Sequence, residues 1–133
     1  MAEDQFWTLV AESGGDAHKL VGFLTGLSWE EIIAFDMRLD EAMYQLDRQD
    51  IHEITDGSDD GFEFVRLWII SRGREYFESV LRDPDNAPHF ADNDEENEDF
   101  GYAATDAYEE MYPDLMPTYP IKRCTRTNVA GWA

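Results

Sequence analysis

Apolar residues repeat at helical spacing along most of the chain, and this pattern predicts an all-α fold. The predicted helices cover about residues 3–13, 17–27, 28–48, 58–72, 74–81 and 95–111. Residues 51–57 are predicted as a short connection with at most one helical turn. We therefore expect a single compact domain of five to six helices, arranged around a central buried helix at about residues 58–72.

The segment from Ser58 to Leu81 has the highest density of bulky apolar residues in the chain. Ser58 or Asp59 is suited to the N-cap position, and acidic residues crowd the first turn, as is typical of a helix start. Apolar residues cover more than half of the helix circumference, so this helix should be buried on several sides. Gly73 marks a break between it and the next helix.

The third predicted helix starts with the clearest signal in the chain, a capping box formed by Ser28 and Glu31. Asp36 and Asp40 lie one turn apart on this helix, close to its apolar stripe. Paired carboxylates can carry out acid–base chemistry or hold a metal. Among 30 acidic residues, however, two will often fall four positions apart by chance.

The character of the chain changes after residue 112, where a tail at residues 113–133 follows the helical domain at residues 1–112. Prolines exclude a regular helix in the tail, and basic residues outnumber acidic ones. These prolines and basic residues are Pro113, Pro117, Pro120, Lys122, Arg123 and Arg126. Such a tail can fold back on the acidic body, reach a partner or stay disordered.

The net charge of −20 and a pI near 4.1 limit the partners of the protein. Direct binding of nucleic acid and of anionic membranes is disfavoured, because both need a basic surface. The charge fits a protein partner with a basic surface, a mimic of nucleic-acid phosphates, or simple solubility. The sequence does not indicate an oligomeric state.

Several absences indicate a cytoplasmic protein. The N-terminus lacks the basic and apolar regions of a signal peptide, and no apolar run approaches the roughly 18–20 residues of a membrane span. Cys124 is the single cysteine, which rules out an internal disulfide.

No motif predicts a metal, a cofactor or a catalytic residue. Residues 56–61 resemble the start of an EF-hand loop, but the position that needs a bidentate glutamate is Leu67. The three histidines have no metal-ligand spacing. Cys124, in the tail, is a poor candidate for a nucleophile.

Arg66 is the most informative basic residue, because it lies in the middle of the most apolar helix. If it is buried it must be paired, and Glu63, Asp36, Asp40 or Asp106 can serve. Either it fixes helix orientation, or it lies at the floor of a pocket for a carboxylate or phosphate. The candidate ligand or partner groove comprises Arg66, Trp68, Arg72, Asp36, Asp40, Tyr44, Asp59 and Asp60.

The central motif of the chain is Ser58-Asp59-Asp60-Gly61-Phe62-Glu63-Phe64-Val65-Arg66-Leu67-Trp68-Ile69-Ile70-Ser71-Arg72-Gly73. Together with Phe6-Trp7, the stretch from Ser28 to Asp36, and Ala103-Ala104-Thr105-Asp106-Ala107-Tyr108-Glu109, this motif resembles bacterial proteins of the domain of unknown function 4240 family. The resemblance covers about residues 5–110 and implies an all-helical fold in the bacterial cytoplasm. It implies no reaction.

These observations favour a small non-catalytic interaction or regulatory module, acting through the groove or the acidic face. The first alternative is an enzyme or accessory protein of a bacterial biosynthetic pathway, in which Asp36 and Asp40 lie near Arg66 in a pocket. The second is a nucleic-acid mimic that binds a basic protein.

Overall fold

The computed structural model describes residues 1–113 and 123–132, so the predictions for Pro117, Pro120 and Lys122 lie outside the described residues. The described chain forms helices and no strands, which confirms the predicted all-α class. The α-helices are α1 (Glu3–Ser13), α2 (Ala17–Leu24), α3 (Trp29–Leu46), α4 (Gln49–Thr55), α5 (Asp59–Ser71), α6 (Arg74–Arg82) and α7 (Glu98–Met111). Short 3-10 helices cover Pro84–Asn86, Asn93–Glu95 and Val129–Trp132.

The described residues contain one more α-helix than the upper end of the predicted range, because the expected connection after α3 is itself helical. In α4, Ile51 and Thr55 are fully buried and lie four residues apart on one face. The helix ends at Asp56, which has a left-handed backbone conformation with φ 53°. Its short apolar stripe gave too little periodicity to predict a helix.

Side-chain caps define the starts of the two helices that matter most below. At α3, the Ser28 hydroxyl accepts from the Glu31 amide and the Glu31 carboxylate accepts from the Ser28 amide, which is the predicted capping box. At α5, the Ser58 hydroxyl accepts from the Gly61 amide at 3.0 Å. Both helices therefore begin at the residues that the sequence indicates.

The core forms where α5 and α7 cross. Helix α5 contacts α1, α3, α4, α6 and α7, while α7 packs on α2, α3 and α5. Close approach depends on Gly101 of α7, because a Cβ atom there would lie 2.7 Å from Cδ1 of Leu67. Gly73, with φ 109°, allows the chain to turn from α5 into α6.

Residues 123–132, here called the C-terminal segment, fold back onto the helical domain. They lie across the C-terminal half of α3 and the first half of α5, and they touch α7 at Gly101. Of the three fates that the sequence left open for the tail, this part of it takes the first. In the described ranges, no helix has both the length and the apolar character needed to cross a membrane.

Candidate functional site: an acidic groove filled by the C-terminal segment

The side chain of Arg123 lies between the two carboxylates that the sequence singled out. Its Nε donates to Asp40 and its Nη2 donates to Asp36, while Nη1 donates to the backbone carbonyl of Gly101. The carboxylate side chains are 3% and 4% exposed, and the Arg123 side chain is 18% exposed. The one-turn spacing on α3 places both acids on the same face, where a planar guanidinium can bond to both. We call Asp36, Asp40 and the Gly101 carbonyl the acid pocket.

Burial and charge act in opposite directions in the acid pocket. Burial raises the pKa of Asp40 to about 6; Arg123 opposes the rise, while Asp36 and Glu41 add to it. For Arg123, burial lowers the pKa, but Asp36 and Asp40 more than offset this, so that its pKa is raised. Arg123 therefore stays charged, and the acid pocket is a site for a cation.

Asp40 is expected to titrate with a midpoint near pH 6 rather than near its ordinary value of 3.8. Because its pKa is higher in the folded than in the unfolded chain, the folded state holds the extra proton between those two pH values. The contribution of Asp40 to stability is thus largest below the lower pH and falls as the pH rises to the upper one. A ¹³C NMR titration of the carboxyl carbon, assigned with Asp40→Asn, measures the midpoint; a value below 4 would contradict the expectation.

Arg66 forms the floor of the groove and is fully buried. Its Nη1 donates to the carbonyl of Met43 at 3.0 Å, and its Nη2 donates to the carbonyl of Arg123 at 2.7 Å. The Met43 carbonyl belongs to the last turn of α3, so the Arg66 guanidinium caps the C-terminal end of that helix. The ring of Phe62 lies beneath the guanidinium, and its centroid is 4.8 Å from the Cζ atom of Arg66. Arg66 thus joins α3, α5 and the C-terminal segment.

The charge of Arg66 is set by burial and by two acidic neighbours. Burial lowers its pKa, and the negative charges of Asp47 and Glu63 oppose that effect. Burial also raises the pKa of Glu63. Within the described residues, Nε of Arg66 has no hydrogen-bond partner. Arg66 is therefore held by carbonyl groups at close range and by carboxylates through longer-range attraction.

Asp47, the residue that follows α3, binds the other half of the C-terminal segment. It is fully buried, and its Oδ1 accepts from the Arg126 amide at 2.9 Å and from the Trp132 indole Nε1 at 2.8 Å. Its Oδ2 accepts from the Asn128 amide at 2.8 Å. One carboxylate therefore satisfies three donors of the C-terminal segment.

Further contacts lie along the rim of the groove. The Thr125 hydroxyl donates to the carbonyl of Asp59 at 2.7 Å, and Nη1 of Arg126 is 2.9 Å from a carboxylate oxygen of Asp59. Asn128 Nδ2 donates to the carbonyl of Tyr44 at 3.1 Å, which satisfies another carbonyl at the end of α3. The rim pairs are exposed, and exposed ion pairs contribute about 0–1 kcal/mol. The strong contacts of the groove are therefore those of the acid pocket, Arg66 and Asp47.

The structure brings together some of the predicted groove residues and separates others. Asp36, Asp40 and Arg66 converge on Arg123, and the two acids bond to Arg123 rather than to Arg66. Asp59 and Tyr44 lie on the rim, where Tyr44 contributes its backbone carbonyl.

Trp68, Arg72 and Asp60 contribute nothing to this groove among the contacts of the described residues. Trp68 lies two residues after Arg66 on a different face of α5, and the guanidinium of Arg72, the residue that follows the helix, is 5.2 Å from the Trp68 ring. Asp60 is exposed at the first turn of α5. The aromatic side chains that do lie in the groove are Phe62, at its floor, and Trp132 of the C-terminal segment that fills it.

Sequence reasoning missed the two residues that organise the groove, Arg123 and Asp47. Arg123 was visible only as part of a basic tail, and Asp47 fell within the helix predicted at residues 28–48, where nothing distinguished it from the other acidic residues. In the described ranges, no group of three or more His, Cys, Asp or Glu residues is arranged to hold a metal ion. In this structure the acceptors of the groove receive their donors from the C-terminal segment.

The fold and the groove define an acidic all-α domain whose binding groove is filled by a segment of its own chain. A family profile described as "Protein of unknown function (DUF4240)" matches residues 1–110, and the chain belongs to that family. No curated protein and no solved structure matches it. The match includes the acid pocket, Asp47 and Arg66, and it ends before the C-terminal segment.

Proposed function

We propose that this protein is a non-catalytic interaction module that binds an arginine-bearing segment of a partner protein in the groove. In the structure the C-terminal segment occupies that position. The observation that carries the proposal is the enclosure of the Arg123 guanidinium by Asp36, Asp40 and the Gly101 carbonyl. A partner segment would displace the C-terminal segment and place its own arginine in the acid pocket.

The chemistry of the acid pocket supports an arginine as ligand. Two carboxylates and a carbonyl match the planar donor pattern of a guanidinium, which lysine does not offer. Below this pocket, Arg66 donates to the backbone carbonyl of the bound arginine residue. The groove therefore contacts both the side chain and the main chain of one residue, as expected for recognition of a peptide.

The location of the family match also supports a groove that can exchange its occupant. All the walls described above belong to the matched residues 1–110, whereas the occupant begins beyond them. The net charge of −20 would attract a basic segment and speed its association. The bacterial and cytoplasmic setting that the sequence predicts is part of the same proposal.

We favour binding over an enzymatic role for the same residues. An acid–base site needs carboxylates that a substrate can reach, and Arg123 occupies the space between Asp36 and Asp40. The nucleic-acid mimic stays a prediction of the sequence alone.

The test uses a full-length acceptor chain, Arg123→Gln/Trp132→Ala, whose C-terminal segment has lost both side-chain anchors. Isothermal titration calorimetry measures the binding of a peptide with the sequence of residues 123–132 and Cys124→Ser. We expect saturable binding, and at least about tenfold weaker binding of the same peptide with Arg123→Gln, because hydrogen bonds between charged groups contribute about 1.5–3 kcal/mol.

Two control chains locate the binding. The wild-type chain should bind the peptide far more weakly than the acceptor, because its own segment competes at an effective concentration of roughly millimolar. The acceptor with Asp36→Asn and Asp40→Asn should lose the preference for arginine. The proposal fails if an acceptor that circular dichroism shows to be helical binds neither peptide, or binds both equally.

A second copy of this chain is the other possible source of the segment. Sedimentation of the acceptor mixed with wild-type chain should show monomers over the micromolar range. A concentration-dependent dimer would identify the second copy as the source and overturn the assignment to a different partner.

A further inference from the structure

We infer that the groove selects, besides the arginine, a Gly–Trp pair that follows it at a fixed distance. In the C-terminal segment the arginine is Arg123 and the pair is Gly131-Trp132, which makes the ligand class a peptide of the form Arg-x7-Gly-Trp. The inference rests on the proposed function and names the ligand of that same groove. The inference concerns Gly131 and Trp132, which contact Asp47 and not the acid pocket.

A glycine is required at position 131 because the backbone of the segment lies close to the backbone of Asp47 and Arg48. A Cβ atom at Gly131 would lie 2.6 Å from the carbonyl oxygen of Asp47 and 3.3 Å from Cα of Arg48. The first distance is far inside van der Waals contact, and the neighbour is main chain at the end of α3, which cannot move aside without disturbing Asp47. Any other residue at this position would therefore push the segment out of the groove.

Two features of the groove require a tryptophan: a carboxylate that accepts a hydrogen bond from the indole N–H, and neighbouring side chains that pack around the ring. Its indole Nε1 donates to Asp47 at 2.8 Å, and phenylalanine has no such donor. The ring lies against His52, with centroids 5.3 Å apart, and stands nearly perpendicular to the Phe62 ring, with centroids 6.2 Å apart. On the solvent side the guanidinium of Arg126 covers it, with Cζ 4.7 Å from the ring centroid. Replacing Trp132 removes one of the hydrogen-bond donors to Oδ1 of Asp47, a fully buried residue.

The distance between the arginine and the Gly–Trp pair is fixed by the two carboxylate sites on one helix. Asp40 and Asp47 are seven residues apart at the end of α3, or about 10 Å along a helix. The segment between its two ends has a bend at Arg126, whose φ is 69°. The amides of Arg126 and Asn128 then converge on Asp47. Removing Val129 would shift Gly131 and the Trp132 indole away from Asp47, while Arg123 stays in the acid pocket.

The experiment adds three peptides to the titration of the Arg123→Gln/Trp132→Ala acceptor: Gly131→Ala, Trp132→Phe, and a peptide that lacks Val129. We expect the Gly131→Ala and shortened peptides to bind at least tenfold more weakly than the parent. We expect a loss of roughly ten- to a hundredfold for Trp132→Phe, because a hydrogen bond to a charged group is lost. An Ala130→Ser peptide serves as the matched control, since Ala130 is exposed, and it should bind like the parent.

The outcomes separate this inference from the proposed function. If only the Arg123→Gln peptide loses affinity and the three others bind like the parent, the Gly–Trp requirement is wrong and the arginine site stands. If the parent peptide does not bind a folded acceptor, both are wrong.

If the acceptor does not fold, limited proteolysis of chains that keep Arg123 and Trp132 tests the same inference. Tryptic cleavage after Arg126 should be at least tenfold faster in Gly131→Ala than in the wild type and unchanged in Ala130→Ser. Equal cleavage rates in the three chains would overturn the inference.

Discussion

Replacing Arg123 with glutamine is expected to lower the free energy of unfolding by about 3–5 kcal/mol at pH 7, the range for breaking a buried ion pair from one side. Asp36 and Asp40 would then face each other, almost fully buried, without the cation that neutralises them. Because a protonated carboxyl group does not need that cation, the loss should shrink as the pH falls below the pKa of Asp40, about 6.

Urea denaturation at pH 7 and at pH 5 measures this loss. Adding Asp36→Asn and Asp40→Asn to the glutamine variant should recover most of it, since neutral amides do not repel each other; the double-mutant cycle gives the coupling energy. Lys19→Gln is the control, because Lys19 is exposed and should change stability by less than about 0.5 kcal/mol. A loss of the same size at both pH values, or no recovery by the amides, would contradict the ion-pair interpretation.

Replacing Arg66 with methionine is expected to lower the free energy of unfolding by about 3 kcal/mol. The loss is expected even though the methionine side chain can fill the same apolar surroundings. The carbonyls of Met43 and Arg123 would each lose a donor, and a buried acceptor without a partner costs about 1–3 kcal/mol. Asp47 would also lose the attraction of the buried Arg66 charge. The end of α3 should fray as a result.

Denaturant unfolding gives the energy of the Arg66 change, and hydrogen exchange at the last turn of α3 shows where it acts. Arg82→Met is a matched control, since this arginine lies in the last turn of α6 and is exposed. Lysine at position 66 should recover little, because one ammonium group cannot bond to two carbonyls on different sides. A neutral effect of Arg66→Met would mean that water replaces both donors.

Helical periodicity and capping residues predicted most of the fold. Those signals lie within a few residues of one another, as at Ser28 with Glu31, and they determine where a helix starts before any packing occurs. Helix α4 was missed because its buried face consists of only Ile51 and Thr55. Neither residue alone distinguishes a helix from a loop.

The candidate site was predicted in part for the same reason. Asp36 and Asp40 share one helix and Arg66 is conspicuous in an apolar one, so local patterns revealed them. The partner of the acid pair is Arg123, which lies more than 80 positions away along the chain. Local sequence patterns carry no information about such a contact.

Trp68 and Arg72 show the opposite error. They lie one turn apart on α5, and an aromatic residue beside an arginine made a plausible lining for a groove. The groove instead lies on the face of α5 that carries Phe62 and Arg66. A cluster of aromatic and basic residues on one helix does not reveal which face of the helix another segment covers.

Because the C-terminal segment is covalently attached to its own groove, it acts as a competitor that cannot be diluted. On the proposed function, an outside ligand would bind with its intrinsic affinity reduced by the fraction of molecules whose groove is open. If that fraction were one in a hundred, a partner with an intrinsic Kd of about 1 µM would need about 100 µM to fill half of the grooves. On that proposal the segment would set a concentration threshold for the partner, and changes to Gly131 or Trp132 would lower this threshold without altering the acid pocket.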